Sequence, residues 1–253
     1  MKIGPDMEWD AENYQATCGR VTEHGANLVG ELRKYCCDRV LDVGCGTGKL
    51  TNDIAGFAGE AVGIDSSPAM VAKAGTTYPG VRFYVMDARS LIWENYFTAV
   101  FSNAVFHFIR DQDALLNSIY RALTKGGTLV CEFGAAGNLA GLLNAVESAC
   151  ARRGKPYELR FYYPGEDEYR RTLTSRGFTI DAAVTYDLDT KLNTGETCLR
   201  DWISQIFNLE MERFGALERA SVLEEIEAVL RPSQWDGERW HLPNRRLRVV
   251  ARK

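Results

Sequence analysis

A chain of 253 residues with 45% hydrophobic content has the size and apolar material for one α/β domain with elaborations. A formal net charge of −4 argues against a surface built to neutralise many phosphates, and the opening MKIGPDMEWD lacks the basic and apolar regions of an export signal. No run approaches the ~20 apolar residues of a membrane span, so the expectation is a soluble, cytoplasmic protein that meets neither nucleic acid nor membrane.

From Val40 onward, short apolar runs alternate with longer helix-like segments. RVLDV, AVGID, VRFYVMD, FTAVFSN and GTLVCEF read as strands, and KLTNDIAGF, PAMVAKAG and DQDALLNSIYRAL as the helices between them. Leu115, Leu116, Ile119 and Leu123 share one helical stripe of the last. This alternation predicts parallel strands joined by right-handed crossovers, five of them complete by Phe133. AAGNLAGLLNAVESACARRG then reads as a helix, followed by an aromatic loop, ELRFYYPGEDEYRRTLTSRGF.

Two further strands are predicted in FTIDAAVTYD and in the closing RRLRVVARK, where Leu247, Val249 and Ala251 share a face. Between them Leu199, Trp202, Ile203, Ile206 and Phe207, then Leu217, Val222, Leu223, Ile226 and Leu230, recur at helical spacing, which predicts two or so helices inserted into a hairpin. Seven cysteines are scattered without CxxC spacing, so reduced thiols are expected and no metal site is read.

The first strand ends in Gly44-Cys45-Gly46-Thr47-Gly48 and runs into a helix, an arrangement that lets backbone approach a ligand closely. About twenty residues later the second strand ends in Asp65, placed to accept hydrogen bonds from ribose hydroxyls. Together they read as a nucleoside-cofactor site at the carboxyl ends of parallel strands. The dinucleotide fingerprint fails because its last glycine position, counted from Gly44, falls on Lys49, and the Walker phosphate loop is absent.

VLDVGCGTG resembles the first motif of the class I S-adenosylmethionine-dependent methyltransferases. VGIDSSPAMVAKA, FYVMDA, FTAVFSNAVFHFI and RALTKGGTLV resemble that family's later motifs, in order. The resemblance implies a doubly wound, Rossmann-like α/β sheet of about seven strands, mostly parallel with an antiparallel last strand, and helical insertions forming a lid. It implies a single domain, with a cofactor-binding core and N-terminal lid over about residues 1–134 and acceptor-side segments over about 135–177 and 190–243.

For the cofactor it implies Asp42, Gly44, Cys45 and Gly46 at the methionine end, Asp65 on the ribose with Ser66 and Met70 flanking it, Asp87 and Ala88 on the adenine, and Asn103 and Ala104 beside the methionine. Asp42 also has a bracing role open to it, as a carboxylate accepting backbone N–H bonds of the loop.

The segment WDAENYQATCGRVTEHGANLVGEL is similar to the opening of the trans-aconitate methyltransferase group, which implies that Trp9 and Tyr14 close over the cofactor; an aromatic face suits a sulfonium cation. SNAVFHFI makes His107 the candidate catalytic residue, as a base, as an imidazolium orienting a carboxylate, or as a cofactor contact. Phe161, Tyr162, Tyr163, Trp202, Ile206 and Phe207 are candidate pocket walls. Arg245 and Arg246 are candidates to pair with an anionic acceptor or to stand as a solvated strand end. Pro243-Asn244 departs from the Asp-Tyr that relatives often carry there, so the acceptor does not carry over.

The activity implied is transfer of a methyl group to a small-molecule acceptor, foremost a carboxylate or hydroxyl oxygen, leaving S-adenosylhomocysteine. The alternatives are C- or N-methylation of a small metabolite, and a non-catalytic S-adenosylmethionine-binding protein. A base-handling Asn/Asp-Pro-Pro-Tyr/Phe motif is missing, which sets nucleic acid methylation behind these.

Overall fold

A computed structural model describes residues 25–253. These form two compact units, one comprising the residues up to Ala136, Phe161–Tyr186 and Arg245–Lys253, the other Gly137–Arg160 and Asp187–Asn244. Among the described residues no helix is long and apolar enough to cross a membrane.

The first unit is built on a seven-stranded sheet in the order β3-β2-β1-β4-β5-β7-β6. Strands β1 (Arg39–Val43), β2 (Glu60–Asp65), β3 (Arg82–Val85), β4 (Phe97–Asn103) and β5 (Leu123–Gly134) run parallel, and β7 (Arg239–Arg252) pairs antiparallel with β5. β6 (Thr179–Thr194) lies outermost. The strand order turns back between β1 and β4, the point at which ligands bind in open α/β sheets.

Alternation along the strands gives this sheet two apolar faces. Leu41, Val43, Val62, Ile64, Val100, Cys131, Phe133, Leu247 and Val249 belong to one buried cluster, and Val40, Ala61, Ala99, Phe101, Val130 and Val250 to the other. Each face is covered by helices, as a parallel sheet requires. Helix α1, running through residues 25–32, adds Leu28, Val29 and Leu32 to the second cluster, together with Ile54 of α2 (Lys49–Ala55). Helix α4 (Gln112–Ala122) lays Leu115, Leu116 and Ile119 on the first, where α6 (Glu166–Ser175) adds Tyr169 and Leu173; Leu123, expected on the same helical stripe, is buried in that cluster as the first residue of β5 instead, its backbone already extended.

The helix starts follow local chemistry. Ser67 caps α3 (Pro68–Thr77) by accepting the Met70 N–H at 3.3 Å, with proline in the first turn, and Asp111 caps α4 through the Ala114 N–H at 2.9 Å.

The second unit holds α5 (Ala140–Ala151), α7 (Cys198–Ile206), α8 (Asn208–Glu212), α9 (Ala216–Gln234) and the far ends of β6 and β7. Three helices thus interrupt the hairpin, and the two strands run further into the insertion than FTIDAAVTYD and RRLRVVARK suggest. The cause is a second stretch of alternation, with Thr190 and Leu192 buried on β6 and Trp240 and Leu242 on β7. The Trp240 indole N–H, otherwise costly to bury, donates to the Glu196 carbonyl at 3.0 Å.

The expected stripe of α9 holds at Val222, Leu223, Ile226 and Leu230 but not at Leu217, which is 91% exposed on the first turn. Leu116→Ala, which removes atoms from a fully buried site, should cost about 2–5 kcal/mol of stability by denaturant titration. Leu217→Ala should stay within about 0.5 kcal/mol of the unmodified chain.

Candidate functional site

The loop from β1 to α2 is held by backbone bonds to the neighbouring strand. The N–H groups of Gly44 and Cys45 donate to the Ile64 carbonyl at 2.8 and 2.9 Å, and the Gly46 N–H donates to the Asp65 carboxylate at 3.0 Å. Asp65 accepts the Ser67 N–H on its other oxygen at 2.9 Å, so one carboxylate fixes both the glycine loop and the start of α3. Burial raises its pKa against the pull of these bonds.

Gly44, Gly46 and Gly48 all have positive φ, but for different neighbours. A Cβ on Gly44 would strike Val105 at 2.2 Å, and one on Gly48 would meet Phe83 and Ala74 at 2.7 and 2.9 Å. These two glycines serve packing. At Gly46 a Cβ would have no described atom within 4 Å, so this is the loop glycine whose open side suits a ligand.

Asp42, expected near the methionine end, is 2% exposed and accepts the Thr51 hydroxyl of α2 at 2.6 Å. It braces the strand to the helix through a side chain, whereas the bracing role left open beside the cofactor role was through backbone N–H groups of the loop. Burial lifts its pKa to about 7, with the Asp65 charge adding and the Thr51 bond opposing. Cys45 is buried, and burial keeps its thiol protonated. The six described cysteines are all free.

Met70 is buried in α3, while Ser66 is exposed beside Asp65. Asp87 caps a short 3-10 turn that includes buried Ala88, and Arg89 grips its carboxylate with Nε at 2.9 and 3.0 Å, holding its pKa below the usual carboxylate range. An adenine amino group there would share the carboxylate with Arg89.

β4 ends in buried Asn103, followed by Ala104 in the left-handed region at φ 60°. For a residue with a Cβ this costs about 1–2 kcal/mol, and the Ala104 N–H bond to the Glu132 carbonyl at 2.7 Å helps to hold it. Trp9 and Tyr14 lie outside the described residues.

His107 follows on a short 3-10 turn, 7% exposed. The Gly134 N–H, which can only donate, points at its Nδ1 at 3.3 Å, so the proton of the neutral ring sits on Nε2. Burial, helped by the Arg246 charge, pushes the imidazole pKa down to about 3. The ring is therefore a neutral donor through Nε2–H. In this arrangement the Nδ1 lone pair faces the Gly134 N–H and the ring is uncharged near neutral pH, which favours a donor role over a base or an imidazolium. Phe161 and Tyr163 of the aromatic loop pack their rings 6.3 and 5.7 Å from it, whereas Tyr162 turns to Tyr169 and donates its hydroxyl to Glu168 at 2.9 Å. Trp202 and Phe207 pack on each other in the second unit, and Asn244 donates to Thr190 there at 3.0 Å.

One group near His107 went unread in the sequence. Glu132, 1% exposed on β5, takes Arg248 Nε at 2.7 Å and lies 3.5 Å from Arg246 Nε. Its signal was a charge inside the apolar run TLVCEFG, facing arginines that alternate with apolar residues in RRLRVV.

The family described as a methyltransferase domain matches residues 41–131. Over 98% of its length the chain is 29% identical to an uncharacterized methyltransferase of Schizosaccharomyces pombe, of which it covers 99%. Over 97% of its length it is 30% identical to a trans-aconitate 2-methyltransferase of Methylobacterium nodulans, of which it covers 98%. A solved structure from Bacillus halodurans, also assigned as a methyltransferase, shares the fold with a TM-score of 0.63 at 18% identity, over 90% of this chain and 99% of that one.

Replacing Asp42 by asparagine tests its bracing role. Native Asp42 keeps its proton up to about pH 7, while the unfolded chain loses it near pH 4, so its contribution is full below about pH 4 and declines as pH rises to 7. Urea midpoints of Asp42→Asn should gain on the unmodified chain across that window; parallel profiles would show that Asp42 is ionised throughout.

Proposed function

The chain belongs to the class I S-adenosylmethionine-dependent methyltransferases, and on that premise we propose that it methylates an oxygen of a small-molecule acceptor, foremost a carboxylate. The observation that carries the cofactor half of this reading is Gly46, open on one side and tied to Asp65 on the other. The residues fit the group. The loop around Gly46 would lie along the methionine portion with Asn103 and Ala104 beside it, and Asp65 would keep lone pairs for the ribose hydroxyls. Asp87 and Ala88 would take the adenine edge, and Trp9 and Tyr14 would close from the N-terminal segment. S-adenosylmethionine supplies an electrophilic methyl group on a sulfonium, and S-adenosylhomocysteine is left.

The chain's own contribution is positioning and shielding. Alignment of reacting atoms supplies roughly 7–11 kcal/mol of barrier reduction, more than the roughly 3–5 kcal/mol of a typical base. Transfer to an anion cancels charge, so buried His107 and the Phe161 and Tyr163 rings make a suitably water-poor wall. With the His107 lone pair engaged, an acceptor that is already ionised fits better than an alcohol, and a carboxylate is ionised at neutral pH. The trans-aconitate methyltransferase relative supports a small acid as acceptor. A cytoplasmic enzyme using this soluble cofactor follows from the same reading.

The test is incubation with methyl-labelled S-adenosylmethionine and a panel of small acids, phenols and amines, then mild alkali. Label released as methanol is the expected result, because esters hydrolyse. Label retained on a product would assign ether, amine or carbon methylation instead.

A further inference from the structure

The antiparallel register of β5 and β7 sets Glu132 opposite Arg248 and Gly134 opposite Arg246, on one face at the carboxyl end of the parallel strands. Glu132 is thereby shared by two guanidiniums. Arg248 is its close partner at 2.7 Å and also donates to the Tyr186 hydroxyl at 3.1 Å. Arg246, 8% exposed, stands 3.5 Å from the other oxygen, and its Nε finds no hydrogen-bond acceptor among the described residues. Burial and the bond to Glu132 lift the Tyr186 pKa to about 12, so this hydroxyl adds no negative charge at neutral pH. Among the described residues, two cations against one carboxylate leave one positive charge in surplus, nine-tenths buried, beside the neutral His107 ring. An uncompensated buried charge is expensive, and a bound anion relieves it.

We propose that Arg246 is the acceptor-selecting residue: it pairs with a carboxylate of the acceptor, His107 donates a second hydrogen bond to that group from Nε2, and Glu132 and Arg248 hold the guanidinium in place. This rests on the methyl-transfer reading and adds to it the residue that makes the enzyme choose acids. Guanidinium and carboxylate match as planar partners, so a lysine would serve as a point charge with weaker orientation.

The experiment is calorimetric titration of tricarballylate, succinate and benzoate, each against its amide, into protein saturated with S-adenosylhomocysteine. The unmodified chain should bind at least one acid about tenfold or more tighter than its amide. Arg246→Gln should weaken that acid by about 10–100-fold, the range of a charge-assisted hydrogen bond, with affinity for S-adenosylhomocysteine unchanged within about twofold. Arg246→Lys should retain part of the acid binding.

Equal acid affinity in Arg246→Gln, equal binding of acid and amide, or binding of no acid by the unmodified chain would each overturn the assignment while leaving methyl transfer intact. If Arg246→Gln fails to fold, as loss of S-adenosylhomocysteine binding would reveal, the acid-to-amide ratio of the unmodified chain and the Arg246→Lys variant decide. Failure of the unmodified chain to bind S-adenosylhomocysteine would instead overturn the reading beneath it.

Discussion

One carboxylate organises the glycine-loop end of the sheet. Asp65 accepts the Gly46 N–H on one oxygen and the Ser67 N–H on the other, so the glycine loop after β1 and the first turn of α3 are referred to a single point at the end of β2. That bond forms only if β1 and β2 are in the right register, with Val43 beside Ile64. Register in turn is set by burial: a one-residue slip would carry Leu41 and Val43 out of one apolar cluster and Asp42 into it. The position of Gly46 is thus a consequence of packing on both faces of the sheet.

The other end of the site depends on the same sheet through β4, β5 and β7. The Gly134 N–H fixes the tautomer of His107, and the strand that supplies Gly134 also supplies Glu132, whose carboxylate is held between Arg246 and Arg248. A backbone donor at a strand end therefore decides that the imidazole donates. On the proposed reading, chemistry that asks for no base suits a site arranged in this way, with the protein holding two reactants in line in a dry place.

Much of this was legible in the sequence because periodicity and glycine spacing are local signals. Five parallel strands, the α4 stripe as far as Ile119 and the placing of the glycine loop and Asp65 at neighbouring strand ends follow from period and spacing alone. Other features depend on partners distant in sequence. That Gly44 makes room for Val105, and Gly48 for Phe83, is not visible from the loop, so the sequence does not separate Gly44 from Gly46. The strand end of His107 left three roles open, and the partner that favours one of them, the Gly134 N–H, lies 27 residues on. Leu217 matched a helical stripe but sits on the first turn of α9, exposed to solvent. Glu132 looked like one charge in an apolar strand; only the antiparallel register with β7 reveals its two arginines.

The central claim is that the open side of Gly46 receives the cofactor. Calorimetric titration of S-adenosylmethionine into the unmodified chain and into Gly46→Arg, with circular dichroism of both, tests it most directly. The account predicts saturable binding by the unmodified chain, and its loss in the variant with the fold retained, because the arginine would fill the space beside the loop. Binding of equal strength in both proteins, or none in the unmodified chain, would contradict it.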